Sequence, residues 1–317
     1  MKSNNVAMNR PLMEGAVAVL QKETNFFALK TFPVVYADSN TGTYKYWDLE
    51  DLLRHENEMR KPGSNFKRVQ LDVAEQSFTC ENYGLEVNVA REDRQELGGN
   101  PLQTKALYLM RQGLVTLDVA AYNKYFATSG GFNKVYDVAS SLSSKQWDAA
   151  DSNPIKDIEE GLDYIEDQTG LRPNVLTMTK DVFRKLKHNP ELLDRQAVDK
   201  DRGITTEEEM AKALGVEEVV VAKGTYISGN EKTSETRTGF GTKRVVATYR
   251  QKVAPADSPN AGLIIIRDYG DLDGATGMGI ETYFDKPTES DIVRLWQRFT
   301  PEVSSKDLGV VFDNCIA

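Results

Sequence analysis

The sequence predicts an α+β fold, and three patterns predict it. Strand-like stretches dominate residues 41–90 and return near the C-terminus. One unusually long helical pattern opens at Pro101. Between them helices and strands alternate, but without the regular winding of consecutive βαβ units. With 317 residues, 40% hydrophobic and 27% charged, the chain is long enough for one large domain or two modest ones with a sizeable core.

Residues 1–35 mix polar side chains with Phe26, Phe27, Leu29 and Phe32 at no clean period. Such a segment cannot close a core of its own. It is either a disordered arm or one that lies on another surface, and its aromatics favour the second. Thr43, Tyr44, Lys45, Tyr46 and Trp47 then read as a strand, and residues 48–54 as one or two helical turns. The polar run 60–65, with Pro62 and Gly63 at its centre, marks a turn. Extended stretches follow at 66–73 and 75–80, and 85–89 alternates strictly, as a half-buried strand does. The region reads as a long hairpin with few core residues at its tip.

Asn100 and Pro101 are a good N-cap and first helical residue. Leu102, Ala106, Leu109, Gly113, Leu117 and Ala120 recur at helical spacing beyond them, with Leu114 and Tyr125 alongside. Continued to about residue 127, the helix is roughly 40 Å long at about 1.5 Å per residue. A second helix starts at Asn153 and Pro154, runs through Ile155, Ile158, Leu162 and Ile165, and stops at Thr169 and Gly170. Further on, the pattern predicts strands at 174–178, 218–222, 244–249, 262–267, 279–284, 291–300 and 308–316, and helices at 180–188 and 206–214. The polar stretch 228–242 and the residues 268–279 read as adjustable loops.

The formal net charge of −9 argues against a surface that grips nucleic acid through clustered Lys and Arg. It leaves room for a container whose wall does not adhere to its cargo. Cys80 and Cys315 are too few for a disulfide framework, which points to a reducing compartment. The N-terminus lacks the apolar run of a signal peptide, and no stretch reaches the length of a membrane span, so a soluble protein made in the cytoplasm is expected.

Motifs that would name a reaction are missing. His55 and His188, the two histidines, lie in different segments, and no cysteine is near either in sequence. Gly239, Gly241 and Lys243 lack the spacing of a phosphate loop and lie between strands. Asp271 and Asp273 are spaced like the first ligands of a calcium loop, but Ala275 and Thr282 stand where oxygen ligands belong. No catalytic, cofactor or metal residue is therefore expected.

The order of elements resembles the Hong Kong 97-type capsid fold of tailed-bacteriophage major capsid proteins. The stretch Asn82-Tyr83-Gly84-Leu85-Glu86-Val87-Asn88-Val89-Ala90-Arg91-Glu92-Asp93 is similar to their passage from hairpin to long helix. Residues 154–161, then Thr169-Gly170-Leu171-Arg172-Pro173-Asn174-Val175-Leu176-Thr177-Met178, are similar to their helix–turn–strand. The resemblance implies an N-terminal arm at 1–35 and an E-loop extension at 36–90. It implies a peripheral domain at 91–150 with its spine helix, a mainly axial domain at 151–285, and C-terminal strands at 286–317 returning to the peripheral domain. A shell protein without enzymatic activity follows, assembling with itself into pentamers and hexamers as an icosahedral head around double-stranded DNA that it contacts non-specifically. A separate scaffolding protein, a portal and a decoration protein are the implied partners, with assembly in the host cytoplasm and residence in the virion. Candidate assembly residues are Tyr44, Trp47, Arg54, Arg60, Lys61 and Phe66 on the hairpin, and Phe26 and Phe27 on the arm. The alternatives are an encapsulin-like compartment for protein cargo and a soluble α/β enzyme.

Overall fold

The computed structural model describes residues 26–47, 53, 59–63, 65–66, 68, 74–90, 101–127, 131–142, 145–149, 151–195, 206–228, 236–240, 243–253, 256–267 and 277–317. Two sheets and one long helix organise them. The first sheet contains β1 (Val34–Ala37), β4 (Glu81–Ala90), β11 (Gly262–Arg267), β12 (Met278–Asp285) and β13 (Ser290–Val303). Its centre is β13, which pairs antiparallel with β4 and β12 over its first part and with β11 over residues 299–303. The second sheet has the order β5 (Lys134–Asp137), β14 (Gly309–Asp313), β10 (Val245–Thr248), β6 (Val175–Thr179), β7 (Glu218–Ala222). Two hairpins stand apart: β2 (Thr41–Tyr46) with β3 (Ala74–Thr79), and β8 (Thr225–Ser228) with β9 (Thr236–Gly239).

Before β1 lies the short helix α1 (Ala28–Thr31), and the long helix is α2 (Pro101–Tyr125). The first half of α2 buries Ala106, Leu109, Met110 and Leu114 on Met278 and Ile280 of β12 and Val293 and Leu295 of β13. Its second half sends Leu117, Ala121, Tyr122 and Tyr125 into the main core, together with the second sheet. The helix therefore joins both cores, which is why its apolar face persists for 25 residues. At its end the Tyr125 hydroxyl donates to the Leu263 carbonyl at 2.8 Å and the Glu302 carbonyl at 3.1 Å.

α3 (Pro154–Thr169) follows the sequence pattern closely. The Asn153 side chain accepts from the Lys156 N–H at 3.0 Å, and Gly170 ends the helix at φ 69°, a conformation glycine adopts without strain. Midway, Gly161 lets the helix approach β14: a Cβ there would sit 2.4 Å from Cζ of Phe312, itself fully buried. Gly161→Val is expected to cost about 2–3 kcal/mol by overpacking, read as a lower urea midpoint at unchanged slope. Three helices complete the inventory among the described residues: α4 (Lys180–Leu186), α5 (Pro190–Arg195) and α6 (Glu207–Leu214).

The structure departs from the sequence reading in places. Residues 26–32 do not reach out as an arm: Phe27, Phe32 and Ala28 pack on α2 of the same chain, and Thr31 Oγ1 bonds Thr177 Oγ1 of β6 at 3.1 Å. β4 does not extend the hairpin but runs along β13. Segments grouped by sequence also divide between the sheets. β11 and β12 join β13 in the first sheet, while the last strand, β14, inserts between β5 and β10 of the second. α5 forms where Asn189 and Pro190 read as a stop, because the Asn189 side chain accepts from the Glu191 N–H at 3.0 Å and caps a new start. Most of the turns expected at 48–54, most of the extended stretch 66–73, the cap at Asn100 and most of both adjustable loops lie outside the described residues.

Candidate assembly site

Among the described residues the β2–β3 hairpin has no third strand beside it, and its side chains are mostly exposed or half-buried on both faces. Two strands alone have too little buried surface to be stable, so the base must be held from outside. Phe78 and Cys80 bury against Ile265 of β11, with Ala37 and Tyr44 packed around them. Trp47 N–H donates to the Ser304 carbonyl at 2.9 Å, Ser304 Oγ donates to the Lys45 carbonyl at 3.2 Å, and Cys80 N–H donates to the Asn40 carbonyl at 2.7 Å. The Tyr44 hydroxyl donates to Gln76 Oε1 at 2.9 Å and the Val303 carbonyl at 3.1 Å. Burial, then the nearby Glu302 carboxylate, push the Tyr44 phenol well above its ordinary range. Tyr44→Phe is expected to cost about 1 kcal/mol and to loosen the hairpin base, visible as faster hydrogen exchange in 41–46 and 74–79.

The sequence candidates therefore separate into two groups. Trp47, Phe26 and Phe27 are buried in their own chain and are not free to meet a neighbour. Phe27 sits edge-on to the rings of Phe126 and Phe240, and Phe26 packs with Leu109 and Met278. Their own fold accounts for their apolar character, which corrects the expectation drawn from the residues alone. Tyr44 likewise serves the hairpin base. Arg60, Lys61 and Phe66 are exposed, and Arg54 lies outside the described residues.

At the exposed end the Arg60 guanidinium lies 3.9 Å over the centre of the Phe66 ring. Phe66 is nevertheless 79% exposed, and Met59 is fully exposed. Two large apolar side chains exposed among the described residues of this segment are surface that water does not favour. Met59 escaped the sequence reading because one methionine inside a polar run carries no periodic signal.

On the first sheet, the face turned away from α2 carries an ordered charge ladder. Glu86, Arg294 and Glu281 are directly paired across β4, β13 and β12, and Arg294 also reaches the Tyr283 hydroxyl at 3.1 Å. Such exposed pairs contribute a few tenths of a kcal/mol each and serve register more than stability. Burial pushes the Cys315 thiol far up and raises that of Cys80, which makes poor nucleophiles of both. Among the described residues no group of three or more His, Cys, Asp or Glu could hold a metal ion.

No family model matches the chain. The architecture described above, with a strap-like hairpin, a long helix bridging two cores and a mixed second sheet, is the Hong Kong 97-type capsid fold, the fold of shell subunits. In sequence the chain is 22% identical over 223 residues to the major capsid protein of Burkholderia phage BcepMu, covering 68% of this chain and 69% of that one. A phage-related protein of Bordetella bronchiseptica RB50 superposes with a TM-score of 0.77 at 19% identity, covering 98% of this chain and 99% of the other. A virus-like particle subunit from Pyrococcus furiosus superposes at 0.57 and 11%, covering 96% and 99%. In fold and in sequence the chain is therefore similar to phage major capsid proteins.

Proposed function

We propose that this chain closes into pentamers and hexamers and builds the icosahedral head around double-stranded DNA, with residues 41–79 as the strap between neighbours. The observation that carries the strap is the hairpin itself: among the described residues its base is tied to β11, while Met59 and Phe66 beyond it stand in water. A surface of this kind is stabilised when a neighbour covers it, as in obligate assemblies. In a closed ring each subunit offers the same surface to the next, so one hairpin per subunit meets one acceptor per subunit.

Within this reading the E-loop extension, expected over 36–90, narrows to 41–79 because β1 and β4 join the first sheet, α2 is the spine of a peripheral domain, and the second sheet with α3 is the centre of an axial domain. Residues 1–35 are the N-terminal arm of this reading, with 26–32 packed on α2 of the same chain. The subunit supplies shape and no catalysis; scaffolding, portal and decoration proteins would complete the head, which is built in the host cytoplasm. The net charge of −9 suits a wall that touches DNA without adhering to it.

Electron microscopy of the purified protein, with light scattering, tests this. Shells tens of nanometres across, or rings of five and six, are expected, and particles from infected cells should hold nuclease-protected DNA. Particles filled with protein instead would favour the encapsulin-like alternative. A monomer that stays monomeric at high concentration with scaffold supplied would sink both.

A further inference from the structure

Where α3 ends beside β5 and the turn into β14, the surface closes into a cavity of about 130 Å³. Lys134, which opens β5, and Lys306, just before β14, both line it and are both half-buried. The Lys134 Nζ is held 4.5 Å from the centre of the Tyr136 ring and 4.7 Å from that of Tyr164, a residue of α3. Cation–π contacts of this kind fix an ammonium group in place without neutralising it.

Neither lysine is spent on its own chain. Asp307 is the one carboxylate among the described lining residues, and its Oδ1 accepts from Asn133 Nδ2 at 2.7 Å. Among the described residues neither amine pairs with this carboxylate or with any other. The carbonyl end of α3, which would attract cations, is closed by nearby groups of its own. Thr169 Oγ1 donates to the Ile165 carbonyl at 2.7 Å, and the Gly170 N–H donates to the Glu166 carbonyl at 2.7 Å. The Gln168 side chain and the Tyr164 hydroxyl, also in the wall, have no hydrogen-bond partner among the described residues. Two positive charges and two further donors thus meet in one concavity, with one engaged carboxylate against them. Such a concavity attracts an anion.

We propose that this cavity is an oxyanion site whose ligand is a phosphate group, free or at the end of a nucleic acid. Its size admits one small ion with its waters and leaves a base or sugar outside. Lysine amines are rotatable point charges that suit a tetrahedral phosphate. The planar fork that selects a carboxylate belongs to arginine, and no arginine is among the described lining residues. Leu53, from the segment beyond β2, completes the wall, so a bound ion lies where that segment meets the second sheet. The site belongs to the single subunit and does not depend on a shell forming.

Equilibrium dialysis of the full chain against labelled inorganic phosphate, at fixed ionic strength, tests it. One saturable phosphate per chain is expected. Lys134→Gln and Lys306→Gln should each weaken binding about tenfold, since each removes one charge-assisted hydrogen bond. Lys286→Gln, on the turn between β12 and β13, should leave it unchanged. Sulfate should compete well and acetate poorly. A 5′-phosphorylated trinucleotide that competes where its unphosphorylated form does not identifies nucleic-acid ends as the source. If neither form competes, the ligand is the free ion. Absence of saturable binding, equal competition by acetate, or a double variant of Lys134→Gln and Lys306→Gln that binds like the unmodified chain overturns the site. Should the Lys134 variant fail to fold, an unchanged affinity in Lys306→Gln alone overturns it as well.

Discussion

Phe66→Asp is expected to leave the subunit folded and to abolish shells. Among the described residues the Phe66 ring meets the Arg60 guanidinium, an exposed contact worth about 0.5–1 kcal/mol, so the melting transition should hardly move. Covered by a neighbour, a phenylalanine contributes about 1.5–3 kcal/mol, and a buried aspartate there adds a desolvation cost. A loss of about 3 kcal/mol shifts a single contact by roughly 100-fold, and a closed shell repeats the contact on every subunit. Density-gradient sedimentation with circular dichroism beside it separates the two effects. Folded protein at the top of the gradient is the expected result, and shells at the usual yield would remove the hairpin tip from the assembly surface. Met59→Asp should act in the same direction.

The second large effect lies in the core. Trp147 is fully buried, its Nε1–H donates to Asp157 Oδ2 at 2.9 Å, and its ring lies against Phe312 at 5.8 Å. Its carbonyl accepts from Asn189 Nδ2 at 3.1 Å and from Ser152 Oγ at 3.2 Å, which binds the start of α3 to that of α5. Trp147→Ala is expected to cost about 3–5 kcal/mol for the cavity, and a further 1–3 kcal/mol for the donor withdrawn from a buried carboxylate. That is a large share of the 5–15 kcal/mol that holds a typical domain together, so soluble expression should fall sharply. Trp147→Phe keeps most of the volume and loses the N–H, and should cost about half as much. Urea midpoints measure both, and a loss under 2 kcal/mol for the alanine variant would contradict this account of the core.

Much of the fold could be read from residues alone where its cause is local. α2 and α3 were legible because apolar residues recur at helical spacing and because Asn153, Pro154 and Gly170 mark ends that backbone geometry enforces. β11, with Leu263, Ile264, Ile265 and Ile266 in succession, is a strand buried on both faces and reads as one. α1, β1 and β5 were not legible, since four residues carry no period. Their backbone partners come from afar: α1 is capped by Asp118, β1 pairs with β11, and β5 pairs with β14.

The assembly surface divides along the same line. Tyr44 and Trp47 were recognisable as residues that seek burial, but their burial is at the foot of the hairpin within one subunit. Phe26 and Phe27 sought burial too, and α2 of the same chain supplies it. Phe66 and Met59 are left without cover, a contrast that emerges only once the core is assembled.

By itself the sequence determined many of the elements of this chain, their order and the positions that must leave water, because propensity, period and capping act over a few residues. The tertiary structure alone decided that β13 joins three strands, that β14 crosses to the second sheet, and which aromatics stay outside. The physical reason is that an apolar side chain states a demand for burial without naming its partner. That partner is chosen by strand pairing and packing between residues tens to hundreds of positions apart.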